Sequence, residues 1–168
     1  MTTPLSPREA TDRLRTDHDL LLSAIDELTG EALARHFATA AGPLGDFCAS
    51  LHDLVAHVLM WNEINLAVLT EADRGRDHWS LSERFETPEV GRALNQAGVA
   101  AGRLLAADLL IERLTSTRDA LVDQIEGYAE PTWTDAAGAL ATHVFTVPGQ
   151  AAFWHAAVHL GAVPAVAR

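Results

Sequence analysis

Apolar residues recur at three- and four-residue steps in four long segments of this chain. Such spacing places apolar side chains along one face of a helix, whereas a half-buried strand would alternate apolar and polar residues. We find no convincing strand alternation and no internal repeat. Four long helices separated by two sizeable connections predict an all-α fold, a four-helix bundle with crossover connections.

Local signals set the expected ends of these helices. Ser6 is an expected N-cap, Pro7 fits the first helical position, and Glu9 can return the capping bond. A second capping box is expected at Ser50 and Asp53. The predicted long helices cover residues 6–30, 50–73, 104–128 and 149–163, and a shorter helical piece covers 88–98. The periodicity places Leu28 and Leu109 among the buried residues.

Length and charge restrict the class of protein. The 168 residues, of which 48% are hydrophobic and 21% charged, fit one domain over residues 1–168. Twelve arginines against 23 acidic residues give a net charge of −11, which would repel a phosphate backbone, so we expect no nucleic acid partner. One cysteine, Cys48, excludes an internal disulfide, and nothing near Met1 resembles a signal peptide. We therefore expect a cytoplasmic protein.

The segment 136–167 contains no Asp, Glu, Lys or Arg, as a membrane span would. Histidines, a proline and a glutamine interrupt it, and these residues favour a buried helix over a span. We expect no membrane association.

Two histidines in this segment suggest a metal site. His155 and His159 lie one helical turn apart and about 40° apart around the helix axis, so both imidazoles can reach one divalent ion. Because the surrounding helix carries no charge, it is expected to be buried, and buried imidazoles need partners to offset their desolvation. Two core histidines bonded to backbone or hydroxyl groups would satisfy the same pattern, and both interpretations stay open on this pair alone.

The second long helix offers a third ligand. His57 lies in its most apolar part, whereas His52 lies in the first turn at an expected solvent-facing position. The two are about 140° apart around the helix and cannot serve together from one face, and His57 is the better candidate. Three neutral imidazoles would leave coordination positions open for water or substrate, as in catalytic sites.

The stretch Leu54–Trp61, with its histidine and following aromatic, and the C-terminal stretch His155–Gly161 resemble the DinB/YfiT-like superfamily. The resemblance covers nearly the whole chain and implies a bundle with a metal held by one histidine of the second helix and two of the fourth. It therefore implies His57, His155 and His159 as ligands. Many members carry a glutamine after the last glycine, where this chain has Ala162.

The superfamily includes transferases and isomerases that use mycothiol, bacillithiol or glutathione, metal-dependent hydrolases, and ClbS/DfsB-like proteins that protect producers from reactive natural products. The stretches Trp61–Glu63 and Gly91–Asn95 look most similar to the ClbS/DfsB-like branch.

The function that we predict is that of a metal-dependent enzyme acting on a small electrophilic metabolite, by thiol S-transfer of the mycothiol type or by hydrolysis. Zinc or nickel is the expected ion, and a low-molecular-weight thiol such as mycothiol is a candidate cofactor. The alternative is a metal-free ClbS-like protective protein that binds or opens a reactive natural product. A third hypothesis is a non-catalytic bundle that forms a homodimer through apolar residues between Phe145 and Trp154.

Several other residues are candidates for a substrate pocket, each with a plain structural alternative in the core or on the surface. Cys48 is expected to be a small buried hydrophobe rather than a nucleophile. Asp53 is expected to complete its capping box rather than accept an imidazole N–H. The candidate pocket residues are Trp61, Asn65, Arg92, Asn95 and Trp154.

Overall fold

A computed structural model describes residues 5–39, 48–82, 87–129, 132–133 and 155–161. The predicted start of the last helix, Trp154 and the proposed dimer contact between Phe145 and Trp154 lie outside these residues. The regular secondary structure within them is helical, apart from one isolated bridge between His36 and Ser50, and it includes a 3₁₀ turn at Trp79–Leu81. The helices are α1 Pro7–Ile25, α2 Gly30–Leu33, α3 Leu51–Asp73, α4 Pro88–Gly102, α5 Ala107–Glu126 and α6 His155–Leu160.

The predicted caps begin two of these helices. Ser6 and Glu9 form the reciprocal capping box that opens α1. Ser50 caps α3 by accepting the N–H of Asp53 at 3.1 Å, but the backbone N–H that the Asp53 carboxylate accepts is that of Ala49 and not that of Ser50. The expected second capping box is therefore only half formed.

Several predicted helix ends differ from those in the structure, most of all in the first helix, the third long helix and the short helical piece. The first helix ends at Ile25 because Asp26 leaves the helical conformation and Glu27 takes a left-handed one (φ 60°), so Leu28 lies past the helix and is 39% exposed. The third long helix begins at Ala107, and Leu109 in its first turn is 45% exposed because Leu110 occupies the core beside it.

The short helical piece continues through Gly98 to Gly102. These glycines do not stop α4 because both pack against α3, Gly98 at Met60 and Gly102 at Ala56. A side chain at either position would overlap α3, at the Met60 side chain for Gly98 and at the Ala56 Cβ for Gly102, which explains the glycines here.

Four helices form a closed ring. Helix α1 packs on α5, α5 on α3, α3 on α6, and α6 on α1, while α4 lies against the outer side of α3. One apolar cluster surrounds Leu54 and Leu114, and a second surrounds Leu69 and Leu121. This ring is the predicted four-helix bundle with crossover connections, and α6 brings its histidines to α3.

Buried polar residues separate the two apolar clusters along the helices. On α1 these are Asp17 and His18, and on α3 they are Asn62 and Asn65. None of the helices in the described ranges is both long and apolar enough to cross a membrane.

Candidate metal centre

Three histidines from two helices converge inside the bundle. His57 comes from the middle of α3, and α6 contributes His155 and His159. One ring nitrogen from each lies within 4.8 Å of the other two, and the Nε2 atoms of His57 and His155 are 2.8 Å apart. The ring centroids are 4.7 to 5.4 Å apart, and each pair of rings is arranged edge to face.

Burial keeps the imidazoles of His57 and His155 neutral. His57 and His159 are each 3% exposed, and desolvation, followed by the neighbouring His159, lowers the pKa of His57 to about 3. Desolvation also lowers the pKa of His155 well below its usual value, with further contributions from His57 and His159. A neutral imidazole offers the lone pair that a metal ion requires, so the donor set fits a divalent cation.

The alternative of plain core histidines accounts for less of this arrangement. A shared proton between the two Nε2 atoms at 2.8 Å makes one hydrogen bond and uses one lone pair. A third imidazole edge faces the same point, and one of its ring nitrogens lies within 4.8 Å of a ring nitrogen of each of the other two. Three nitrogen donors that meet at one buried point are what a cation with open coordination positions would need.

The sequence analysis did not identify Asp17, which contacts α6, the helix that carries His155 and His159. Its two carboxylate oxygens accept the backbone N–H groups of Ala156 at 2.8 Å and Ala157 at 2.9 Å. Burial raises the pKa of Asp17, and these N–H donors act in the opposite direction. The spacing of the sequence could have indicated that Asp17 is buried. It lies three residues after Leu14 and four before Leu21, on the buried face of α1.

The candidate pocket residues occupy different environments. The Trp61 indole N–H donates to Asn95 Oδ1 at 2.8 Å, which joins α3 to α4. Asn65 is 3% exposed, and its side-chain oxygen has no hydrogen-bond partner within the described ranges. Arg92 lies exposed in the first half of α4, and Trp154 is outside the described residues.

Two other sequence expectations concern the start of α3. Cys48 is buried, and burial raises the pKa of its thiol to about 12, as expected for a structural cysteine rather than a nucleophile. The Asp53 carboxylate binds the Arg103 guanidinium through both oxygens, at 2.7 and 2.8 Å, and is not bonded to an imidazole. His52 is half-buried, with its Nε2 3.3 Å from the carbonyl oxygen of Leu105.

Two open grooves lie away from the histidines. One, of about 600 Å³, is lined by His52, Asp53 and Arg103 among others, and one of about 770 Å³ runs beside Trp79 and Glu63. Neither groove is lined by the three histidines or by the candidate pocket residues that the structure describes.

Known proteins were compared with the chain by sequence and by structure. No family model and no curated protein matches the sequence. The crystal structure of the colibactin self-resistance protein ClbS, in complex with a double-stranded DNA, has a TM-score of 0.62 and covers 84% of this chain and 97% of its own, at 18% identity. The chain shares the ClbS fold.

An uncharacterised protein from Escherichia coli UTI89 matches equally well. Its TM-score is also 0.62, at 16% identity, and the match covers 84% of this chain and 94% of that one. At such low identity these likenesses establish the fold alone, and they confirm the all-α architecture predicted from the sequence.

Proposed function

We propose that this protein protects a cell from a reactive small molecule, which it binds or opens within the bundle. The observation that carries this proposal is the fold match to ClbS, a self-resistance protein, over 97% of that protein's length. The stretches Trp61–Glu63 and Gly91–Asn95, which resemble the ClbS/DfsB-like branch, support it from the sequence. The expected ligand is an electrophile small enough to enter a helical bundle.

A second candidate function, metal-dependent catalysis, is favoured by the histidine cluster. His57, His155 and His159 would hold one divalent cation, and zinc or nickel is the expected ion. Such an ion, when bound, lowers the pKa of a water or thiol and polarises a carbonyl, which serves either hydrolysis or thiol transfer. Because Cys48 is buried and its thiol pKa is raised, sulfur would come from a small thiol such as mycothiol.

DNA is not part of either proposal. ClbS was crystallised with a double-stranded DNA, but the net charge of −11 on this chain opposes contact with phosphates.

The metal content of untagged protein separates the two candidates. We expect about one zinc or nickel ion per chain for metal-dependent catalysis, and loss of the ion in His57→Ala and His155→Ala. His52→Ala is the matched control, since it removes a histidine from the same helix α3 outside the cluster. A wild-type protein that takes up neither ion from added salts would exclude the metal-dependent candidate.

The protective function is tested with two model electrophiles, styrene oxide and 1-chloro-2,4-dinitrobenzene, each with and without mycothiol. Chromatography follows binding and loss of the electrophile. Activity that survives replacement of all three histidines by alanine supports the metal-free protective protein, and activity lost together with the ion supports the metal-dependent one. If wild-type protein neither binds nor consumes either compound, the proposal of protection against electrophiles is wrong.

A further inference from the structure

Asp17 connects α1 to α6, the helix that carries His155 and His159. It lies in the middle of α1, is 9% exposed, and uses both carboxylate oxygens to bind α6. The described donors are the consecutive peptide N–H groups of Ala156 and Ala157, at the start of the described part of α6. A side chain of α1 is therefore bonded directly to the backbone of α6.

A carboxylate that binds two consecutive N–H groups fixes more than one degree of freedom. One hydrogen bond would hold the distance between α1 and α6, and two, one to each oxygen, also restrict rotation of α6 about its own axis and sliding along it. Charge-assisted bonds of this length are among the stronger hydrogen bonds in proteins. The position of α6 against α1 is therefore held at this contact.

The contact lies next to the histidines in the chain. Ala156 directly follows His155, and His159 comes two residues after Ala157. Because the helix is rigid over one turn, fixing these two peptide groups also fixes where both imidazoles point relative to His57 on α3. A small rotation of α6 would move the ring nitrogens of His155 and His159 together, away from the point at which they meet His57.

We propose that Asp17 is a positioning residue of the three-histidine centre, which sets the orientation of α6 so that its two histidines face His57. The proposal rests on the second candidate function, in which the three histidines hold a divalent cation. It assigns Asp17 no contact with the ion: the carboxylate acts through the backbone of the helix that carries two of the ligands.

The test compares zinc affinity in Asp17→Asn, Asp17→Glu and Asp53→Asn with that of the wild type, by competition with a chromophoric chelator. Asp17→Asn keeps the shape of the side chain but can accept at one position only, so we expect zinc to bind about 10- to 100-fold more weakly, as for other residues that orient metal ligands. Asp17→Glu keeps both acceptors on a longer side chain and is expected to fold and to bind zinc with intermediate affinity. The absorption bands of bound cobalt report the coordination geometry and are expected to shift in both variants.

Asp53→Asn is the matched control. Asp53 is also a buried carboxylate that accepts a backbone N–H, from Ala49, but it binds Arg103, and none of its described partners lies on α6. It is expected to lower the free energy of unfolding while the zinc dissociation constant and the cobalt spectrum stay as in the wild type.

The outcomes are separable. The decisive variant is Asp17→Asn, or Asp17→Glu where Asp17→Asn does not fold. If the wild type binds zinc and this variant binds zinc with the same affinity and the same cobalt spectrum, Asp17 has a structural role only, and the inference is overturned. If wild-type protein binds no zinc, the cation site itself is wrong, and the positioning role is wrong with it.

Discussion

His18 is a buried histidine outside the three-histidine cluster, between α1 and α5. It is 4% exposed, and its Nε2 lies 3.4 Å from the hydroxyl of Thr115. Desolvation and the nearby Arg118 lower its pKa to about 4, against opposing effects of Asp19 and Asp119. The folded protein therefore holds this imidazole neutral at a pH where the unfolded chain would protonate it.

The stability of the protein should fall on acidification in part because of His18. Above about pH 6.5 the residue is neutral in both states; as the pH falls from about 6.5 to about 4, only the unfolded chain takes up the proton, which favours unfolding. A pKa difference of this size corresponds to about 3 kcal/mol once fully developed, and about 2–3 kcal/mol of that stability is lost between about pH 7 and about pH 4.5. His18→Gln, which cannot take up a proton, is expected to lose that much less stability over this range.

Urea unfolding at about pH 7 and about pH 4.5 measures this difference. For each variant, the free energy of unfolding at the lower pH is compared with that at the higher pH. Any cost of placing glutamine in the core is the same at both pH values and therefore cancels. His36→Gln, which replaces an exposed histidine, serves as the control. An identical loss of stability in His18→Gln and in wild type would show that His18 titrates normally.

At the scale of the helices, two glycines allow α4 to lie close against α3. A side-chain carbon added at Gly102 would overlap the Cβ of Ala56, and one added at Gly98 would overlap the Met60 side chain. By contrast, a carbon added at Gly91, in the same helix, meets nothing within 4 Å. The helix thus contains a matched pair of glycines, one required by packing and one not.

Gly102→Ala should destabilise the protein, and Gly91→Ala should stabilise it. Alanine has the higher helix propensity by about 1 kcal/mol, so Gly91→Ala is expected to raise the free energy of unfolding by about 0.5–1 kcal/mol. At Gly102 overpacking outweighs that gain, and we expect a net loss of about 1–3 kcal/mol. Equilibrium urea unfolding measures the free energy of unfolding of both variants. The double variant Ala56→Gly/Gly102→Ala should recover part of the loss. Equal effects of Gly91→Ala and Gly102→Ala would contradict the close packing of Gly102 against Ala56.

The helices were predictable from local signals, and their contacts were not. Ser6 with Glu9, and the apolar spacing of α3, predict two helices because caps and periodicity act within a few residues. The ends at Ile25 and Gly102 depend on a left-handed residue and on packing against another helix, which no local pattern specifies.

The same division holds for the candidate site. The spacing of His155 and His159 shows that they share a helix face, and the apolar surroundings of His57 indicate that it is buried. That His57 faces this pair follows only from the resemblance or from the three-dimensional fold. The bond of Asp17 to residues about 140 positions later depends on long-range packing, although its place on an apolar stripe marked it as unusual.

At the scale of the whole molecule, the positive charges are largely engaged by negative ones. Eight arginines in the described part of the chain lie within 4.0 Å of a carboxylate, and three of these pairs join different helices or their ends. Arg15 with Glu126 links α1 to α5, and Arg113 with Glu63 links α5 to α3. With 23 acidic residues against 12 basic ones, the unmatched charge is negative.

This charge distribution predicts that the protein does not bind double-stranded DNA, although ClbS, which has the same fold, was crystallised with one. Affinity for DNA comes mainly from the counterions that are released when lysine and arginine contact phosphates. Here eight arginines in the described part of the chain already have carboxylate partners, and the net charge is −11. Fluorescence anisotropy of a labelled duplex, with a basic protein of similar size as positive control, is expected to give a dissociation constant weaker than about 10⁻⁴ M at physiological salt. Tighter binding that weakens steeply between about 50 and about 200 mM salt would mean that a local group of arginines overcomes the net charge, and the prediction from charge would be wrong.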